Sequence, residues 1–230
     1  AANEDAETRL LRTGEQSFRV FNVGAPQLDD MVSSILPTKQ ETLQKLGCPV
    51  DEPFLLVVNH PNTEETSLVG EHTDQLIYAL NEIKMNKIWI LPNNDTGHSI
   101  IREKLLNFRK NDTYLFDNLP REHYLSILKN CECIVGNSSS ALLEAPTFQT
   151  SAVNIGSRQQ DRVRGSNVIE TEYTKNDIIR SIQTATSDDF KKSHQNLQNP
   201  YGDGMSSIRI LEVLSNINID SKLLNKKITY

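Results

Sequence analysis

Ile134-Val135-Gly136-Asn137-Ser138-Ser139-Ser140-Ala141-Leu142-Leu143-Glu144 passes from an apolar strand pattern through a glycine turn and small hydroxyl residues into a helical pattern. A strand that turns directly into a helix is the repeating joint of an α/β domain. Such a helix start leaves backbone N–H groups free at the positive end of the dipole, which favours an anion, and serine hydroxyls add donors without crowding it. Read locally, the same residues also fit an ordinary serine N-cap with no ligand.

Working outward, further apolar runs predict strands at Phe54–Asn59, Lys87–Pro92, Thr113–Phe116, Cys131–Gly136, Ser151–Ile155 and Val168–Glu172. Most are rich in the branched and aromatic residues that suit a pleated surface. Between the first two, Val69, His72, Leu76, Leu80 and Ile83 recur at steps of three and four, which sets them on one helix face. Similar helical patterns occupy Ile100–Phe108, Tyr124–Leu128 and Ile178–Ile182, the last preceded by Thr174 with Asp177 three residues on, a capping-box start. Strand and helix alternate, so the expected fold is α/β: a Rossmann-like parallel sheet with helices on both faces. Ahead of it lie the run Phe18–Val23, the turn Gly24-Ala25-Pro26 and a helix near Leu28–Leu36. After it, Ile208, Ile210, Leu211 and Leu214 mark a final helix.

Charge and composition narrow the function. The 230 residues are 37% hydrophobic and 23% charged, the usage of a chain that folds in water. A formal net charge of -6 with scattered basic residues gives no electrostatic footprint for nucleic acid, while a small anionic ligand stays open. Three cysteines, Cys48, Cys131 and Cys133, imply neither a disulfide frame nor a zinc site. The apolar runs are too short to span a bilayer and the first residues have no leader pattern, so no membrane partner is expected and the cytoplasm is the expected location.

In an open α/β sheet the ligand sits outside the carboxyl ends of the strands. The residues there are polar: Asn59-His60-Pro61, Asn93-Asn94-Asp95, Asp117-Asn118, Asn137-Ser138-Ser139-Ser140 and Gly156-Ser157-Arg158. Pro61 biases His60 toward extended backbone, which turns it out of the sheet edge, where a histidine can donate to phosphate or serve as a hydrogen-bonded structural residue. Glu144, less than two turns into the predicted helix, fits either a ribose diol or solvent. Arg158 fits either a diphosphate, which guanidinium pairs well, or an exposed basic loop shared with Arg162 and Arg164. No G-x-G-x-x-G follows a strand, there is no G-x-x-x-x-G-K-[ST], and no metal-ligand cluster is present, so no cofactor is expected.

Taken together, Asn59-His60-Pro61, Pro92-Asn93-Asn94-Asp95-Thr96-Gly97, Gly136-Asn137-Ser138-Ser139-Ser140 through Glu144-Ala145-Pro146, and Val153-Asn154-Ile155-Gly156-Ser157-Arg158-Gln159 form a pattern. In order and spacing it resembles the hydrolysing UDP-N-acetylglucosamine 2-epimerases, from about Phe21-Asn22-Val23-Gly24 to Tyr201-Gly202-Asp203-Gly204. The resemblance implies the C-terminal half of a glycosyltransferase-B-like fold. It divides the chain into an interdomain segment (1–26), a UDP-binding domain (27–204) and a C-terminal helix and tail (205–230).

Carried across, it places His60 on the diphosphate in a supporting catalytic role, Asn93 and the Leu119 backbone at the uridine, Ser138 and Ser139 on the phosphates, Glu144 on the ribose and Arg158 on the nucleotide. The family's reaction eliminates UDP to a glycal and adds water, with catalytic carboxylates from an N-terminal domain. The residues before Phe21 are too few to supply that domain, so the chain is expected to be a catalytically incomplete fragment of a homo-oligomeric enzyme. His98, Gln149-Thr150-Ser151 and Ala141 depart from the family's small or glycine residues. A bacillosamine-type sugar nucleotide is therefore an alternative substrate. A glycosyltransferase nucleotide domain and a non-catalytic UDP-binding module are the alternatives from other classes.

Overall fold

The computed structural model describes residues 1–229, which form two compact units, one of residues 36–197 and one of residues 1–35 with 198–229. The helices in chain order are α1 (Glu4–Arg12), α2 (Asp29–Ser33), α3 (Lys39–Leu46), α4 (Val69–Glu82), α5 (His98–Phe108), α6 (Arg121–Asn130), α7 (Ser140–Leu143), α8 (Lys175–Ala185), α9 (Asp188–Ser193), α10 (Ser206–Asn216) and α11 (Ser221–Leu224). The strands are β1 (Phe54–Val58), β2 (Asn86–Ile90), β3 (Thr113–Phe116), β4 (Cys133–Gly136), β5 (Ala152–Ile155) and β6 (Val168–Thr171).

All six strands are parallel, in the order β3-β2-β1-β4-β5-β6. The chain winds from β1 out to β3, then crosses back to lay β4 on the other side of β1. The reversal leaves a switch point between β1 and β4, where an open parallel sheet has its crevice. Strand side chains alternate between two cores. Leu55, Val57, Trp89, Val135 and Val153 meet Leu76, Leu80, Ile101, Leu105, Ile178 and Ile182 of α4, α5 and α8. Phe54, Leu56, Val58, Ile88 and Ile134 meet Leu43, Ile127, Leu128 and Leu142 of α3, α6 and α7. Both faces of β1 are therefore buried, which is why its five residues form an unbroken apolar run.

All six predicted strands are present, Thr113–Phe116 with the expected bounds and the others with bounds moved by at most two residues, and the Thr174 cap forms, its side chain accepting from the Asp177 N–H. Two helical readings change. The helix expected over Leu28–Leu36 is a 3-10 turn (Pro26–Leu28) leading into the short α2. The helix after the serine run is a single turn, α7, followed by a 3-10 turn over Ala145–Phe148. Pro146 has no N–H to continue the ladder and its ring crowds the preceding turn, so Glu144 stands at the helix end and not inside it. Gln149 closes this segment with φ 55°, a left-handed conformation that favours glycine.

In the smaller unit, Asp29 accepts from the N–H groups of Ser206 (3.0 Å) and Ser207 (2.6 Å), an acidic cap on the start of α10. The predicted final helix is this α10, but Ile208, Leu211 and Leu214 are each more than half exposed.

Candidate functional site

The ends of β1 and β4 are drawn together by Gly136. Its φ is 133°, and a Cβ there would fall 2.2 Å from the Val58 carbonyl oxygen, so only glycine lets the two strand ends run on side by side. Asn137, buried beyond it, works as the hub. Its Oδ1 accepts from the His60 N–H (2.8 Å) and its Nδ2 donates to the His60 carbonyl (2.8 Å) and to the Tyr173 hydroxyl (3.1 Å). Its own carbonyl accepts from Arg158 Nη1 (3.1 Å) and Gln159 Nε2 (2.8 Å). One side chain and one carbonyl thus fasten the β1, β4 and β5 ends to each other.

His60 is oriented at a second point. Its Nδ1 accepts from the Asn93 N–H at 3.2 Å, which places the proton of the neutral ring on Nε2 and leaves that nitrogen as a donor. Burial, and then the Arg158 guanidinium, hold the His60 pKa below its ordinary value, with Asp95 and Asn93 opposing. The imidazole is therefore neutral near pH 7. Burial and the neighbouring Arg162 also lower Arg158, though a guanidinium stays charged throughout.

A cleft of about 300 Å³ opens beside these groups, lined by Pro61, Asn62, Asp95, Ser139, Ser157, Arg158 and Arg162 among others. Ser138 Oγ accepts from the Ser140 N–H (3.3 Å), a local turn bond. Because α7 is one turn long, little helix dipole stands behind this turn; the cations of the cleft are Arg158 and Arg162, set among the carboxylates of Glu64 and Asp95.

Glu144 is engaged elsewhere in the same region. Its carboxylate accepts from Arg121 (2.5 Å) and from the Ser140 hydroxyl (2.5 Å), which in turn accepts from Tyr124 (2.7 Å). It is neither solvated nor unpartnered. Leu119 lies at the end of the β3 loop with its side chain buried in the core on the α3 and α6 side. Asn93 donates from its side chain to Asp95 (2.8 Å). The structure thus brings His60, Asn93, Ser139 and Arg158 to one edge, with Ser138 beside Ser139 and Glu144 one helical turn behind.

The remaining histidines are accounted for by neighbours. His123 is buried between Thr42 and Lys45 of α3, and His98 Nδ1 faces the Asp95 carbonyl (3.1 Å). His194 is buried against Phe190. His72 does not simply point into the sheet as its helical spacing suggested; its ring stacks on Tyr173. The cysteines are buried and free, and burial pushes the thiols of Cys48 and Cys131 up to about 11 and about 12. No group of three or more metal-ligating side chains occurs among the described residues, and none of the described helices is long and apolar enough to cross a membrane.

With this geometry in hand, comparison with known proteins is decisive. Residues 1–215 match the family model described as UDP-N-acetylglucosamine 2-epimerase. The chain belongs to this family. Relatives include the UDP-N,N'-diacetylbacillosamine 2-epimerase (hydrolyzing) of Legionella pneumophila, 33% identical over 98% of this chain and 59% of the relative. Another is the UDP-N-acetylglucosamine 2-epimerase of Neisseria meningitidis, 37% identical over 81% of this chain and 49% of the relative. The chain spans roughly half to three fifths of the length of these relatives.

Solved structures share the fold at low identity. The Neisseria meningitidis epimerase bound to UDP-GlcNAc has a TM-score of 0.74 at 17% identity, covering 94% of this chain and 61% of that one. The S. aureus MnaA–UDP complex has a TM-score of 0.75 at 19% identity, covering 94% and 58%. The epimerase-family sheet expected from the sequence is therefore the sheet observed.

Two residues central to the site were not singled out from sequence. Asn137 could have been, since it directly follows the glycine of the decisive turn. Tyr173 could not, because it reaches the site only through the packing of β6 beside β5.

Proposed function

We propose that this chain is the nucleotide-binding half of a hydrolysing UDP-N-acetylglucosamine 2-epimerase, holding UDP at the β1–β4 switch point. The observation that carries the reading is the convergence of His60, Asn137 and Arg158, with Ser138 and Ser139, where an open parallel sheet has its crevice. His60 Nε2–H, Arg158 and the two serines donate to the diphosphate, and Asn93 and the Leu119 backbone meet the uridine. Glu144 accepts from the ribose hydroxyls, a role compatible with its present partners because a carboxylate has about four acceptor sites.

In this reading the elimination of UDP from the sugar is completed by carboxylates outside this chain. The uridine and ribose contacts bind ground state and transition state alike, and so they hold the substrate without driving the chemical step. The His60 donor, aimed at the departing diphosphate, is the chain's own contribution to leaving-group stabilisation. The sugar is N-acetylglucosamine, released as N-acetylmannosamine. The bacillosamine epimerase relative supports an N,N'-diacetylbacillosamine nucleotide as the second reading. A cytoplasmic location and a homo-oligomeric whole enzyme go with the same proposal.

Calorimetric titration with UDP, UDP-N-acetylglucosamine, uridine and ADP tests it. UDP and the UDP-sugar should bind, with uridine much weaker and ADP absent. Equal binding of UDP and ADP, or no heat from UDP, would overturn the reading.

A further inference from the structure

We propose that Tyr173 is a positioning residue for His60: its hydroxyl, set between the β1 and β4 ends, fixes the backbone that aims the imidazole. The inference rests on the nucleotide reading above. Two contacts set the ring. It lies against Gly156, where a Cβ would fall 2.6 Å from ring Cε2, so only glycine permits the approach. It also stacks on His72, with centroids 4.1 Å apart and planes 3° from parallel.

Held in this way, the ring delivers its hydroxyl to two amides. The hydroxyl donates to Asn59 Oδ1 (2.8 Å) and accepts from Asn137 Nδ2 (3.1 Å). Each amide leads to His60. Asn59 precedes it in the chain, and Asn137 clasps both its N–H and its carbonyl at 2.8 Å. Burial pushes the Tyr173 phenol above its ordinary range, so it remains an O–H donor near pH 7. Tyr173 is not among the residues lining the cleft beside Ser139 and Arg158, so it acts on a ligand there through the Asn59 and Asn137 amides that it holds.

Phenylalanine keeps the ring and deletes the hydroxyl, leaving Asn59 Oδ1 and one Asn137 proton without their partner in a buried place. The 230-residue chain is titrated with UDP and with uridine as wild type, Tyr173→Phe, His60→Ala and the double variant. Tyr173→Phe should weaken UDP about tenfold, the size expected when a buried polar partner is lost, and change uridine less than about twofold. In the His60→Ala background the loss should shrink to less than about threefold, since residues acting through one another are not additive. Asn59→Ala, which cuts the same bond from the other side, should reproduce the Tyr173→Phe pattern.

Unchanged UDP affinity in Tyr173→Phe, an equal loss for uridine, or the same loss with and without His60 would overturn the proposal. A second readout needs no ligand. The His60 ring, followed by NMR against Arg158 and Asp95 as its charged neighbours, should titrate nearer its ordinary value in Tyr173→Phe as the ring loosens. A wild-type chain that binds no UDP refutes the nucleotide reading, and the NMR titration then decides the positioning role: an unmoved His60 pKa refutes it and a shift upholds it.

Discussion

Replacing Asn137 with alanine tests whether the β1 and β4 ends are held by one amide. The substitution removes three hydrogen bonds, two to the His60 backbone at 2.8 Å and one to Tyr173 at 3.1 Å, from a side chain that is only 1% exposed. At about 0.5–1.5 kcal/mol net for each bond, and with the partners left buried, the loss is about 3 kcal/mol. For a chain of this size that lowers the melting temperature of the sheet unit by roughly 6–12 °C. The Asn137 carbonyl that holds Arg158 and Gln159 survives the change, so UDP affinity should fall about tenfold and not vanish. Thermal unfolding by circular dichroism and calorimetry with UDP measure the two effects. A melting point within about 2 °C of wild type together with unchanged UDP affinity would refute the hub assignment.

Three other outcomes follow from the same geometry. Alanine at both Ser138 and Ser139 removes donors to a charged group worth roughly 1.5–3 kcal/mol each, so UDP affinity should drop at least tenfold by calorimetry while uridine is little affected. The apo chain should lose stability as pH falls below 6.5, the ordinary histidine value, because the unfolded state then takes up protons that buried His60 and His194 resist. UDP adds negative charge beside the His60 ring and raises its pKa, so UDP affinity should rise over the same fall in pH, and both slopes should flatten in His60→Gln when followed by denaturant melts and titrations. In deuterated water with UDP-N-acetylglucosamine, the isolated chain should yield neither free N-acetylmannosamine nor deuterium at C2 by NMR, since a base at C2 is required and the proposed reading draws it from carboxylates outside this chain.

The fold was legible because burial on both faces writes itself into sequence as unbroken apolar runs, as at Phe54–Val58, separated by helical spacing, as at Val69–Leu80. The meeting of His60, Asn93 and Arg158 at one edge was legible for a related reason: each follows the end of a strand, and parallel strands bring all such ends together. What stayed hidden depends on contacts distant in sequence. The Glu144 pairing with Arg121 spans 23 residues, and Tyr173 meets Asn59 across 114. The shortness of α7 was misread although Pro146 signals it, because the apolar run Ala141-Leu142-Leu143 fits a longer helix equally well.

The central claim, that UDP lies across the β1–β4 switch point, is tested most directly by a crystal structure of this chain grown with UDP. The diphosphate should lie within hydrogen-bond distance of His60 Nε2 and Arg158, with the ribose toward Glu144. A UDP molecule bound instead in the neighbouring 620 Å³ cavity lined by Glu65, His72, Glu170 and Glu172 would contradict it.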